Sequence, residues 1–330
     1  LDSWRAHAHG ADVISYFQFR QAPSGPEVFH SALVPHAGPE TARFQAVTEL
    51  GGELTASPLA GEELGSSRVF FVHDWDSWRA AVGAGRVSRA VDPIAQNEVF
   101  YAPFFHAGER VDIGPSSALL AEAASEGASL KDRCDVIVLA SQFLLRGELV
   151  AVLEEFAREG GQLVIGPHSG IVDQHVRAHL GGTGGGLLEL AGVFREEPWP
   201  LAAALPIRNG AGEQGRVEEF VEVLRSTTAQ PLWSVSEGPL QGRPVATHRA
   251  LGRGAIWYLG GLLEDGILAE VIGAAAAAAG IGLDPLPAQV ELIRRGGATV
   301  VLNHGSVPAR LSLHGRMIDV PGEDLVILPS

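Results

Sequence analysis

One stretch near the start of the chain decides the fold: AHGADVISYFQFRQ at residues 8–21, followed by GPEVFH at residues 25–30. Gly10 suits the end of a helix, where a residue without Cβ takes the left-handed conformation. Residues 13–19 carry aromatic and β-branched side chains, which is typical of a strand covered on both faces. Polar side chains follow only after that strand. In a parallel α/β barrel the loops after the strands bind ligands, so this order predicts a barrel strand and a ligand-binding loop.

Glu27 and His30 are candidate sugar-binding residues in that loop. They lie three positions apart, beside Phe29. A carboxylate accepts hydrogen bonds from neighbouring hydroxyls, and a neutral imidazole can donate one and accept another. The alternative is a solvated loop whose Glu and His have no ligand. Two residues at this spacing do not decide between these interpretations.

The same segment resembles a known family. Residues 8–21, with EVFHSALVPHAG at residues 27–38, closely resemble the eighth barrel strand and its loop in family 42 glycoside hydrolases, the bacterial β-galactosidases. Further similarity, which extends the resemblance over essentially the whole chain, lies in SGIVD at residues 169–173, LGG at residues 180–182 and GRG at residues 252–254. By this resemblance Glu27 and His30 match the Glu-x-x-His pair that contacts galactose.

The resemblance also bears on catalysis. Retaining glycosidases use two carboxylates, one acid/base and one nucleophile, about 5 Å apart. In the family both lie on barrel strands upstream of the segment that matches Leu1. The chain begins at Leu1 rather than at an initiator methionine, and its single methionine is Met317. We therefore expect the chain to be the carboxyl-terminal portion of a larger enzyme, with no catalytic residue of its own. Its partner would be the missing amino-terminal portion of the barrel, and the chain would be inactive alone.

Composition narrows the classes of partner. The 330 residues carry a formal net charge of −15, which argues against nucleic acid and against anionic membranes, because both attract basic patches. A neutral galactoside fits better, and we expect no cofactor and no metal. The single cysteine, Cys134, excludes an internal disulfide and favours a reducing, cytoplasmic compartment. The chain also lacks an apolar run of about 18 residues, so we predict no spanning helix.

The order of elements predicts an α/β chain in three parts. The first is the last strand–helix unit of a TIM barrel, and the second alternates strands and helices as a doubly wound parallel sheet does. By the resemblance, this second part is a flavodoxin-like or class I glutamine amidotransferase-like trimerisation domain. The third is a small antiparallel β domain. The predicted boundaries are residues 1–55, 56–283 and 284–330.

Individual elements follow from local patterns. In the barrel unit, Phe17, Phe19 and Arg20 receive core roles in the strand, and residues 39–50 form a helix that stops at Gly51 and Gly52. In the second part, residues 135–140 make the clearest central strand and residues 217–224 an acidic helix. Short strands of the third part are predicted at residues 290–293, 299–302, 310–313 and 325–328.

Trp75 and Trp78 follow the first strand of the second part. Because the family assembles as a homotrimer through this domain, both tryptophans are candidates for contact with a neighbouring subunit. The alternative is that an Asp caps a helix there and the tryptophans are buried.

The remaining candidate motifs predict structural roles rather than a catalytic nucleophile or a metal site. An amidotransferase nucleophile needs a cysteine on a tight strand-to-helix turn, but Cys134 precedes its strand. In the run GPHSG at residues 166–170 the serine is displaced by one position from a nucleophile elbow, so a turn is the better interpretation. His7 and His9 are two apart on a helix and point in different directions, which disfavours a metal site, whereas His36 is expected to pack under the Glu27 loop.

A second hypothesis comes from a different class of protein. The chain would then be a free-standing flavodoxin-like binding or assembly module with no hydrolase. The Glu-x-x-His segment favours the β-galactosidase interpretation, because such a module has no reason to keep a sugar-contacting loop.

Overall fold

The computed structural model describes residues 1–83, 87–88, 91–313 and 315–329. Its helices, in chain order, are α1 (Asp2–Ala8), α2 (Ala42–Thr55), α3 (Trp75–Gly83), α4 (Pro93–His106), α5 (Ser116–Ala123), α6 (Leu130–Arg133), α7 (Gly147–Arg158), α8 (Leu187–Ala191) and α9 (Asp265–Ala278). Its strands are β1 (Val69–Val72), β2 (Val111–Gly114), β3 (Val136–Leu139), β4 (Gln162–Ile165), β5 (Val193–Pro200), β6 (Leu205–Asn209), β7 (Gln214–Ser226), β8 (Gln230–Val235), β9 (Pro244–Leu251), β10 (Gly254–Leu259), β11 (Gly261–Leu263), β12 (Val290–Arg295), β13 (Ala298–Asn303), β14 (Ala309–Leu313), β15 (Arg316–Val320) and β16 (Asp324–Pro329).

The chain divides into two compact units. Residues 1–65 and 286–330 form one, which we call the small unit, and residues 66–285 form the other, the large unit. No helix of the described ranges is both long enough and apolar enough to cross a membrane.

One large mixed sheet dominates the large unit. Strands β2, β1, β3, β4 and β10 run parallel in that order, and β9, β8, β6, β7 and β11 continue the sheet antiparallel, with β5 also paired to β7. The parallel strands β1, β3 and β4 are buried at every position, as their continuous apolar runs predict. The predicted α/β class is confirmed, but the sheet is mixed rather than wholly parallel.

Helices cover both faces of the parallel strands. One apolar cluster joins α4 and α9 to the sheet through residues such as Phe104 and Ile272. A second cluster joins α5, α7 and α8 to the opposite face through residues such as Leu119, Phe156 and Leu187. This two-sided cover explains why the parallel strands carry almost no polar side chains.

The predicted acidic helix at residues 217–224 is wrong, because these residues lie in the long strand β7. Val217, Phe220, Val221 and Leu224 are buried at helical spacing. The cause is an irregularity at Glu219, which has a φ of +53°, with the register against β11 shifting alongside it. A bulge inserts an extra residue and breaks the alternation of a strand, so the apolar spacing resembles that of a helix.

The small unit contains two antiparallel sheets, β12–β13–β16 and β14–β15. The four strands predicted in this region are confirmed, and β15 is a fifth strand that the sequence pattern did not indicate. Gly296 lies in the two-residue β12–β13 hairpin turn with a φ of +55°, a conformation that such turns require and that glycine adopts without strain.

The prediction of a buried strand at residues 13–19 is wrong for the described chain. Val13, Phe17 and Phe19 are 80%, 76% and 64% exposed, and Arg20 is exposed as well. Within this chain, therefore, the core roles predicted for Phe17, Phe19 and Arg20 are not found. A buried parallel strand needs a hydrogen-bonded neighbour on each side. Among the described residues this segment forms backbone hydrogen bonds only at its end, where the amide groups of Leu33 and Val34 donate to the carbonyl groups of Gln18 and Phe19.

Helix α1 ends at the turn that the sequence predicts, whereas helix α2 does not end where the sequence predicts. Gly10 follows α1 with a φ of +96°, and the amide groups of Gly10 and Ala11 donate to the carbonyl groups of His7 and Ala6, which is a Schellman motif. Helix α2 continues through Gly51 and Gly52 to Thr55, so the predicted stop is wrong.

These glycines give a matched pair of expected results. Gly10→Ala should lower the free energy of unfolding of the small unit by about 1–2 kcal/mol, because an L residue is strained in the left-handed region. The new Cβ would also lie 2.5 Å from Leu64 Cδ1. Gly51→Ala should raise that free energy by about 0.5–1 kcal/mol, because Gly51 is inside a helix and a Cβ there meets no described atom within 4 Å. Urea unfolding with an unchanged m-value measures both free energies. A change of the same sign in both variants would contradict this account.

Candidate functional site

The candidate sugar-binding loop, which comprises residues 22–30, lies on the surface of the small unit. Glu27 and His30 are both exposed, and Phe29 between them is 92% exposed. Two successive turns shape the backbone, because Val28 N donates to the Gly25 carbonyl and His30 N donates to the Glu27 carbonyl. The turns place Glu27 and His30 one turn apart on a protruding loop.

The side chains of Glu27 and His30 have no hydrogen-bonding or ionic partner within residues 1–83, 87–88, 91–313 and 315–329. A solvated carboxylate and imidazole are therefore both available to a ligand. Between them they offer the carboxylate acceptors and the donor–acceptor pair of an imidazole that hydroxyl groups require.

His36, which the sequence predicts to pack under this loop, is exposed and instead forms a hydrogen-bonded bridge at the start of the loop. His36 Nε2 donates to the Ala22 carbonyl at 2.7 Å, and His36 N donates to Gln21 Oε1 at 3.1 Å. Gln21 Nε2 in turn donates to the Val28 carbonyl at 3.0 Å, inside the loop.

The two candidate contact tryptophans lie in the large unit, at the start of α3. Trp75 is 55% exposed and Trp78 is partly buried. The ring of Trp75 packs edge-on between the rings of His73 and Trp78, with centroid distances of 4.5 and 5.7 Å. The arrangement is a partly exposed aromatic row, which is compatible with a contact surface.

A buried ionic network in the large unit was not found from the sequence. Glu222, which is 1% exposed, accepts hydrogen bonds from Arg195 Nη1 at 2.9 Å, from His168 N at 3.0 Å and from the Tyr258 hydroxyl. Arg195 also donates to the carbonyl groups of Ser169 and Gly170. The network therefore holds the turn at residues 166–170 against β5 and β7.

His168 occupies a restricted position within that turn. It has a φ of +62°, and its ring lies 5.7 Å from Phe143 and 5.1 Å from Phe220 between centroids. Burial lowers the pKa of His168 to about 4, although Glu222 acts in the opposite direction. The imidazole is therefore neutral near pH 7.

The other nucleophile candidates have structural contacts. Ser169 is fully buried, and its hydroxyl donates to the Gly166 carbonyl and accepts from Gln142 N. Cys134 is 3% exposed, and burial raises its pKa to about 12. Neither side chain presents an activated nucleophile to solvent.

A second cluster that the sequence did not reveal lies in the small unit. The Glu291 carboxylate, which is 3% exposed, is bound by Arg5 Nε at 2.7 Å, His9 Nε2 at 2.6 Å and His304 Nε2 at 2.8 Å. Burial by itself would raise the pKa of Glu291, but the hydrogen bonds from His9 and His304 and the charge of Arg5 lower it to about 2. The part of the chain that the structure describes holds no group of three or more His, Cys, Asp or Glu side chains suited to a metal ion.

Two family models match the chain. The model described as "Beta-galactosidase trimerisation domain" matches residues 67–282, and the model described as "Beta-galactosidase" matches residues 1–57. The first match alone covers more than half of the chain.

Curated relatives agree with the family models. A β-galactosidase of Arthrobacter sp. is 30% identical over 315 residues, which are 93% of this chain and 43% of the relative. The β-galactosidase LacZ of Heyndrickxia coagulans is 30% identical over 276 residues, which are 82% of this chain and 40% of the relative. The chain thus spans less than half the length of these two relatives.

Solved structures share the fold. The β-galactosidase of Rahnella sp. R3 superimposes with a TM-score of 0.85 at 24% identity, over 99% of this chain and 50% of that one. The β-galactosidase of Bacillus circulans sp. alkalophilus gives a TM-score of 0.83 at 22% identity, over 98% of this chain and 50% of that one.

Proposed function

The chain belongs to the β-galactosidases of glycoside hydrolase family 42, and from this premise we propose that it is the carboxyl-terminal part of a retaining enzyme that hydrolyses terminal β-D-galactosyl residues. The matched family models support this proposal, as does the length of the relatives, of which the chain covers less than half.

Within this enzyme, Glu27 and His30 bind the galactosyl unit. The observation that carries this assignment is their availability: both side chains are exposed on one loop and have no partner in the described ranges. The loop also belongs to residues 1–57, which the β-galactosidase family model matches.

The reaction itself requires two carboxylates about 5–5.5 Å apart, one as nucleophile and one as acid/base. We assign both to barrel strands outside this chain, so that residues 1–330 alone bind but do not hydrolyse a galactoside. Residues 1–55 then complete the barrel, and the exposed side chains of Val13, Phe17 and Phe19 face the rest of it.

The remaining parts serve assembly. Residues 56–283 form a trimerisation domain with the parallel order of a flavodoxin-like or glutamine amidotransferase-like sheet, and residues 284–330 form the carboxyl-terminal β domain. Support comes from the family model over residues 67–282 and from the order β2–β1–β3–β4–β10. Trp75 and Trp78 contact a neighbouring subunit of the homotrimer, and the enzyme works in the cytoplasm.

The site assignment is tested in the full-length enzyme that contains this chain. Glu27→Gln should lower kcat/KM for a chromogenic β-galactoside about 30-fold, because a hydrogen bond to a charged group contributes about 2 kcal/mol. His30→Phe should also lower it, since the ring then neither donates nor accepts. Steady-state kinetics with folding checked by circular dichroism is the measurement.

Glu40→Gln provides the matched control. Glu40 is also exposed and without a partner in the described ranges, but it lies outside the loop. Its kcat/KM should stay within twofold of the parent enzyme. Equal kcat/KM for Glu27→Gln and Glu40→Gln would refute the site, and a full-length protein without turnover would favour a binding or assembly module.

A further inference from the structure

The loop that carries Glu27 and His30 is connected to the adjoining backbone through one side-chain amide. Gln21 uses both of its polar atoms: Nε2 donates to the Val28 carbonyl at 3.0 Å, and Oε1 accepts from His36 N at 3.1 Å. The backbone of Gln21 is itself held, because its N donates to the Val34 carbonyl at 3.0 Å. A hydrogen-bonded backbone position just before the loop is thereby joined to the centre of the loop.

His36 closes the bridge on the other side. Its Nε2 donates to the Ala22 carbonyl at 2.7 Å, at the residue where the loop begins. The loop is therefore tied at its start through Ala22 and at its middle through Val28. Both ties meet at Gln21 and His36.

Apart from these ties, residues 23–30 are held by local contacts. The turns Gly25–Val28 and Glu27–His30 are internal to the loop, and the side chains of Glu27, Phe29 and His30 are exposed. Local turns fix the shape of a loop but not its orientation on the protein. Backbone hydrogen bonds between residues 18–21 and residues 33–34 close the base of the loop, and above this base the side chains of Gln21 and His36 supply the orientation.

We propose that Gln21 and His36 are positioning residues that aim Glu27 and His30 at the galactosyl unit. This inference rests on the proposed function of the loop. Val28 lies next to Glu27 and two positions before His30, so the bond from Gln21 acts directly between the two binding side chains. Neither Gln21 nor His36 contacts the sugar in this proposal.

Small displacements have large effects on such contacts. A misplacement of about 1 Å can cost up to about 100-fold in rate, because hydrogen bonds to the substrate depend steeply on distance and angle. Loss of one loop tie should displace Glu27 and His30 by less than about 1 Å, so we expect a loss smaller than about 100-fold.

The test uses variants of Gln21 in the full-length enzyme. Gln21→Glu keeps an acceptor for His36 N but loses the donor to Val28, and Gln21→Met loses both. Each should raise the inhibition constant of free galactose and the KM of the galactoside about tenfold. The change in kcat should be smaller. Gln45→Met, an exposed helix position outside the loop, is the control and should match the parent enzyme.

A conservative replacement tests His36. His36→Phe removes the donor to the Ala22 carbonyl and should raise the inhibition constant of galactose. His36→Gln should recover most of that loss, because a glutamine Nε2 can donate to the same carbonyl. Equal losses in His36→Phe and His36→Gln would overturn the assigned role of His36.

A mutant cycle, with Gln21 as one member and the pair of Glu27 and His30 as the other, separates an effect on positioning from an effect on stability. If Gln21 acts through the binding loop, Gln21→Glu should have little further effect on the galactose inhibition constant once Glu27→Gln and His30→Phe are present. Additive losses, or a loss explained by a lower unfolding midpoint, would overturn the inference while leaving the proposed function intact. No effect of Glu27→Gln itself would overturn both.

Discussion

Glu222→Gln is expected to lower the free energy of unfolding of the large unit by about 3–5 kcal/mol, the usual cost of removing one partner from a buried ion pair. The Arg195 side chain is 10% exposed and would keep its charge without the carboxylate that faces it. The His168 amide would lose its acceptor if the new amide nitrogen faced it, and the turn at residues 166–170 would lose its anchor. Loss of the Glu222 carboxylate is thus costly to the fold of the large unit.

Urea unfolding followed by tryptophan fluorescence measures this loss, because five of the six tryptophans lie in residues 66–285. Glu264→Gln is the control, since its carboxylate lies 3.7 Å from the exposed Arg216 and should contribute less than about 1 kcal/mol. A double variant, Arg195→Met with Glu222→Gln, should lose less than the sum of the single variants. Equal losses for Glu222→Gln and Glu264→Gln would contradict the role of the buried pair.

The part of the fold that could be predicted is the part whose signals are local. Residues 135–140 indicated a central strand because a parallel strand covered on both faces is apolar at every position, and β3 occupies Val136–Leu139. Gly10 likewise indicated the end of α1, because only the left-handed conformation allows the two closing hydrogen bonds.

Prediction failed where distant residues decide the structure. The segment at residues 13–19 has the composition of a buried strand, yet a strand also needs neighbours, which no local pattern reports. At residues 217–224 the irregularity at Glu219 depends on pairing with β11, so apolar spacing alone favoured the wrong element.

The candidate site shows the same division. Glu27 and His30 are identified by resemblance, and both side chains are exposed, as a binding role requires. The Glu291 cluster was missed because Arg5 and His9 lie more than 280 residues away in the sequence. A carboxylate in a short strand carries no signal of partners at the opposite end of the chain.

Glu291→Gln is expected to lower the free energy of unfolding of the small unit at pH 7 by about 3 kcal/mol, from the displacement of its pKa. The carboxyl group has a pKa of about 2 in the folded chain against an ordinary value of 4.5. The folded state therefore binds the proton less readily than the unfolded state, and the ionised carboxylate stabilises the fold.

The sign of the pH dependence follows from this difference. The contribution of Glu291 is complete above its ordinary pKa of 4.5 and is lost as the pH falls towards about 2, where both states are protonated. The parent chain should thus lose stability steeply through this window. Glu291→Gln should be less stable at pH 7, follow a flatter acid limb and converge with the parent near the lower end.

Urea unfolding at several pH values, read by pulsed hydrogen exchange on peptides from residues 1–12 and 286–304, resolves the small unit. Asp319→Asn is the control, because its pair with Arg310 is open to solvent on both sides and should leave the acid limb nearly unchanged. A Glu291→Gln variant with the full acid limb of the parent would show that other carboxylates cause the acid sensitivity. A flatter acid limb together with a lower free energy of unfolding at pH 7 would establish that Glu291 joins α1 to β12 through its charge. If Glu291 acted only as an uncharged hydrogen-bonding residue, its replacement by glutamine would change neither quantity.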